Sequence, residues 1–225
     1  TFGGGNDFWP GPLTIDGTAA VSEQTCAEYD QLYPMRREWI DEYLAWWDDK
    51  ESYPDYTIPN EILNWPAHGD VSKGQSYYLA PFYDYDGDGN YDPMVGDYPY
   101  YDVSNELCPN NFAGIPDWRP TPTAEAEYYH SGQLDAWKYG ILSDQVIKGD
   151  QTLWWVFNDK GNIHTETYGD PIGFEIRAQA FGFSTNDEIN NMTFYSYEII
   201  NRSTYRLTDT YFSQWVDTDL GYAKD

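Results

Sequence analysis

Phe174-Glu175-Ile176-Arg177-Ala178-Gln179-Ala180 and, after a turn-rich gap, Phe194-Tyr195-Ser196-Tyr197-Glu198-Ile199-Ile200 decide the fold class. In the first run Phe174, Ile176, Ala178 and Ala180 fall on one side of an extended chain. In the second, Tyr195, Tyr197 and Ile199 alternate with Phe194, Ser196, Glu198 and Ile200. A period of two marks a strand with two distinct faces. Thr152–Phe157, Ile172–Ser184, Met192–Asn201 and Leu207–Val216 share this aromatic and β-branched character. The clusters Asn158-Asp159-Lys160-Gly161-Asn162, Ser184–Asn191 and Asn201–Thr204 supply turns between them. Successive strands joined by short turns pair antiparallel, so residues 134 onward predict an antiparallel sheet, most simply half of a β-sandwich.

Upstream the text changes. Residues 1–21 read as an extended, Gly/Pro-punctuated entry anchored by Phe8-Trp9-Pro10-Gly11-Pro12. Thr25 with Glu28 three residues on fits a capping box. Pro34 suits a first helical position, and Met35, Trp39, Tyr43 and Trp46 then share one face, which predicts a helix over 34–48. That stripe reads as core packing and not as a ligand groove. From Tyr53 to Pro122 ten prolines interrupt any periodicity. A stretch that long without regular structure needs something to order it. The chain therefore divides into a helical and loop region, 1–133, and a sheet region, 134–225.

Charge narrows the function. Twelve Lys+Arg against 38 Asp+Glu leave a formal net charge of −26. That field repels phosphate backbones and anionic membrane surfaces, which argues against nucleic-acid partners and membrane insertion. It attracts cations, and it also suits solubility in a salty medium. The 10 Trp, 22 Tyr and 10 Phe residues supply large areas for burial or contact. No apolar run approaches membrane-spanning length. Thr1 opens directly into Phe2-Gly3-Gly4-Gly5, with no leader pattern, so the chain reads as a mature or truncated piece of something longer.

The sharpest chemical signal is Asp84-Tyr85-Asp86-Gly87-Asp88-Gly89-Asn90-Tyr91-Asp92. Carboxylates at alternate positions converge on one hard cation while the chain wraps around it, Gly89 allows the sharp turn, and the Asn90 carbonyl adds an oxygen. Oxygen ligands on a flexible loop favour calcium over magnesium, which demands stricter octahedral geometry. Where an EF-hand has its twelfth-position Glu this chain has Val95, and Pro81 and Pro93 leave no room for flanking helices. The predicted ligand set is Asp84, Asp86, Asp88 and Asn90, closed by Asp92 or Asp97. The fold expected overall is mainly β: an antiparallel β-sandwich with a short N-terminal helical segment and a long Pro/Asp-rich, calcium-ordered loop region.

Other candidates are weaker. Asp217-Thr218-Asp219 could take a second cation with Asp159, although ordinary strand-end residues look the same. Cys26 and Cys108 form no close metal-ligand pair and read either as one disulfide or as two buried thiols. His68, His130 and His164 are scattered singly, and no HExxH, GxSxG or P-loop pattern occurs. The expectation is a segment that is not an enzyme.

Several longer runs carry a family resemblance. Ile58-Pro59-Asn60-Glu61-Ile62-Leu63-Asn64-Trp65-Pro66-Ala67-His68-Gly69-Asp70, the loop Asp84–Pro99 and Trp154-Trp155-Val156-Phe157-Asn158-Asp159 resemble segments of large secreted proteins of the Bacteroidota. So do Asn191–Ser203 and Trp215-Val216-Asp217-Thr218-Asp219-Leu220-Gly221. The resemblance implies export by type IX secretion and an extracellular or outer-surface location. It points to a calcium-stabilised structural or adhesive segment of an assembly, filament or adhesin. Other chains of that assembly, copies of itself included, and glycans are its expected partners. The alternative is a carbohydrate-binding module or an enzyme-associated domain of a secreted hydrolase, which a flat exposed row of Trp9, Trp46, Trp65, Trp118 or Trp137 would favour.

Overall fold

A computed structural model describes residues 7–101, 146–162, 164–165 and 168–214. Its regular elements follow the order β1 (Trp9–Pro10), α1 (Glu23–Glu28), β2 (Tyr33–Arg36), α2 (Arg37–Asp48), α3 (Asn60–Leu63), β3 (Phe82–Tyr83), β4 (Tyr98–Pro99), β5 (Gln151–Asn158), β6 (Phe174–Gly182) and β7 (Phe194–Asn201). The main sheet is antiparallel, in the order β1-β5-β6-β7, with β2 pairing the other end of β5. A separate two-stranded hairpin joins β3 to β4. The mainly-β, antiparallel expectation holds at this level, and the sheet draws strands from both sides of residue 133.

Three local expectations are corrected. The cap of α1 is Ser22, whose hydroxyl oxygen accepts from Thr25 N–H, so Thr25 sits inside the first turn. Residues 34–36 are strand, not helix: Pro34 lies opposite Leu153 in β2, and the helix starts at Arg37. An edge strand tolerates proline where its missing N–H would point away from the neighbour, so Pro34 carried no unique helix signal. The strand expected over Leu207–Val216 is also absent among the described residues: 205–214 form no strand, with Tyr211 89% and Phe212 75% exposed.

The two faces of the sheet differ in kind. One face carries Trp154 and Val156, which join Met35, Ile40, Tyr43, Ile62, Leu79 and Phe82 in a single buried cluster beneath residues 35–101. The same face buries Asn158, Glu175, Arg177 and Gln179. Their presence has a physical reason. The layer lying over the sheet is largely irregular, and irregular backbone brings unpaired N–H and C=O groups that must be satisfied. Glu175 accepts the N–H of Leu13 at 3.0 Å, and Arg177 donates to the carbonyl of Tyr78 at 3.1 Å. Gln179 donates to Val146 O at 3.0 Å, and Asn158 donates to Gly11 O at 2.9 Å. Glu175 also pairs with Arg177 and Arg202, each at 3.0 Å. These polar side chains tie the N-terminal layer to the sheet at fixed points.

The opposite face is an apolar grid. Register places Phe157, Ile176 and Ile199 in one row, Trp155, Ala178 and Tyr197 in the next, and Leu153, Ala180 and Tyr195 in the third. On β7 this face is open, with Tyr195 59%, Tyr197 48% and Ile199 45% exposed. The second sheet of a sandwich was expected here. Among the described residues the only other sheet is the β3–β4 hairpin, whose Phe82 and Tyr98 belong to the cluster on the far side.

Candidate metal site

The acidic loop is the connection of the β3–β4 hairpin. Tyr83 pairs with Tyr98, so Asp84 and Asp97 are the first residues beyond the stem on either side. Both are fully buried. The Asp84 carboxylate accepts the N–H of Gly87 at 2.7 Å and of Gly89 at 2.9 Å. Gly87 (φ 77°) and Gly89 (φ 83°) adopt the left-handed conformation that turns the chain back on itself there. Asp86 accepts from Asp88 N at 3.2 Å, and Asp88 from Asn90 N at 2.7 Å. As a result ligand oxygens of Asp84, Asp86 and Asp88 all lie within 4.8 Å of one another, an arrangement that can hold a metal ion.

Asp92 and Asp97, the expected closing ligands, fall outside that group. Asp97 spans the base of the loop: one oxygen accepts Tyr85 N–H and the other Asp92 N–H, both at 2.8 Å. Burial pushes its pKa up to about 6 against those two donors, with Asp84 and Asp86 adding to the rise. Asp92 accepts from Met94 N–H at 2.8 Å. The Asn90 side chain accepts the Tyr77 hydroxyl, which leaves its main-chain carbonyl as the oxygen to offer a cation.

Residues with no acidic signal hold the loop in place. His68 accepts the N–H of Tyr91 on Nε2 at 2.9 Å and faces the Tyr77 carbonyl with Nδ1 at 3.1 Å, so Nδ1 carries the proton. Its ring stacks on Tyr77 with centroids 4.1 Å apart. Burial lowers the imidazole pKa, with the Tyr77 carbonyl, Asp88 and Asp84 pulling partly the other way. Tyr43 donates to Pro93 O at 2.8 Å and Tyr91 to Ile62 O at 2.7 Å. Gly96 (φ 119°) lies against Tyr85 and Trp47, where an added Cβ would come within 2.7 and 2.8 Å of their rings. Sequence reasoning did not connect His68, Tyr77, Tyr43 and Trp47 with the loop, because they come from distant segments and no local pattern announces them.

The remaining sequence candidates are placed as follows. The carboxylate of Asp159, the weaker candidate for a second cation site, accepts the N–H groups of Ile172, Gly173 and Phe174 at 2.7–2.9 Å and closes the β5–β6 turn. Asp217 and Asp219 lie outside the described residues, as do His130, Trp118 and Trp137. Cys26 is buried on α1, and Cys108, the other half of the disulfide candidate, lies outside the described residues. His164 faces Asp159 O at 2.9 Å. Of the other tryptophans, Trp9 packs on Gly161, Trp46 on Tyr43, Trp47 and Tyr56, and Trp65 on Trp154 while donating to Pro81 O. They sit in separate packing contacts, not in one row. Comparison with protein-family models, curated proteins and solved structures finds no match to this chain.

Proposed function

We propose that this chain is a calcium-stabilised structural or adhesive segment of a secreted cell-surface protein, with the Asp84–Asp97 loop taking up calcium as a brace. The observation that carries the reading is the convergence of Asp84, Asp86 and Asp88 on one point of a loop held at its stem by two buried carboxylates. Three carboxylates so close repel one another, and a cation removes that cost. Calcium fits better than magnesium because Asp86 and Asp88 are exposed and the ligands are spread along a turn-built loop, not held in a rigid octahedron. Affinity should be modest. Val95 stands where a bidentate carboxylate would complete the shell, so a dissociation constant of about 0.1–1 mM is expected, in the range of extracellular modules. A site that weak fills outside cells and stays empty inside them.

A non-catalytic role fits the histidines. Both described ones are committed to backbone partners, and His68 spends its two nitrogens on holding the loop. The test is titration calorimetry with calcium on the wild-type chain and on an Asp86→Ala, Asp88→Ala double variant, with hydrogen exchange followed alongside. Wild type should give saturable heat that the variant lacks. Calcium at tenfold its dissociation constant should stabilise the protein by about 1.4 kcal/mol. Chelator should speed exchange in residues 84–97 well before β5–β7. Equal heats from both proteins, or protection indifferent to chelator, would refute the calcium reading.

A further inference from the structure

We draw no further inference here: the strongest candidate, the open apolar patch that Tyr195, Tyr197 and Ile199 form on the outer face of β7, carries nothing because nothing in the structure shows what covers it.

Discussion

Replacing Glu175 with glutamine tests whether the polar seam under the sheet is a coupled unit. Glu175 is fully buried and faces two guanidinium groups, Arg177 at 3.0 Å with 4% of its side chain exposed and Arg202 at 3.0 Å with 10%. Glutamine keeps the shape and an oxygen for Leu13 N–H but removes the buried negative charge that faces Arg177 at 3.0 Å. Glu198 is no adequate substitute, being 3.9 Å away and 38% exposed. Breaking a buried pair by removing one partner costs about 3–5 kcal/mol, and the weak help from Glu198 places the expectation near the lower end. For a chain of this length about 3 kcal/mol corresponds to a fall in melting temperature of roughly 6–12 °C. Urea unfolding at pH 7, followed by tryptophan fluorescence, is the assay. Adding Arg177→Met should recover part of the loss, because the uncompensated cation is then gone. Acidity gives a second check. Burial alone would raise the Glu175 pKa, but Arg177 and Arg202 hold it below its ordinary 4.5. Its contribution is therefore complete above pH 4.5 and is lost as pH falls through the lower folded-state value, so the wild-type and variant stabilities should converge in acid. A loss under about 1 kcal/mol at neutral pH would show that the seam is not a coupled unit.

Two further substitutions probe the loop. His68→Phe keeps an aromatic ring against Tyr77 but removes the acceptor for Tyr91 N–H, so it should cost about 1–3 kcal/mol and speed exchange at the Tyr91 amide; unchanged protection there would count against the assignment. Because burial lowers the imidazole pKa, the His68 contribution is complete above its ordinary 6.5 and fades as pH drops through the folded-state value, a dependence the Phe variant should lack. Gly96→Ala forces a side chain into a φ of 119° and against Trp47 and Tyr85, and should destabilise by about 2 kcal/mol or more; a change below about 0.5 kcal/mol in urea unfolding would show that the loop relaxes freely.

What the sequence revealed follows from how local each feature is. β5, β6 and β7 were legible because one face of each carries apolar residues at a period of two. The face that the core covers was harder to read, since Glu175, Arg177 and Gln179 look solvent-facing until the irregular layer that needs them is known. β1 and β2 are short and contain proline, and only the edge of β5 makes them strands. Leu207–Val216 shows the converse, a sequence with strand character that finds no strand partner among the described residues. In the loop, Asp84, Asp86 and Asp88 are brought together by turns within six residues and were visible at once. The place of Asp97 was harder to read, because it faces Asp84 across a hairpin stem that has only two paired positions.

The sheet's connectivity also bears on how the molecule is made. Among the described residues, β1 and β2 have no strand partner nearer than Gln151–Asn158, the strand they both flank. A chain emerging N-terminus first must therefore leave these two strands unpaired until that strand has appeared. Contacts so distant in sequence are slow to form, because the entropy of closing the loop is lost before any pairing compensates for it. The N-terminal edge of the sheet is thus completed late by construction, after the strand it flanks has been made.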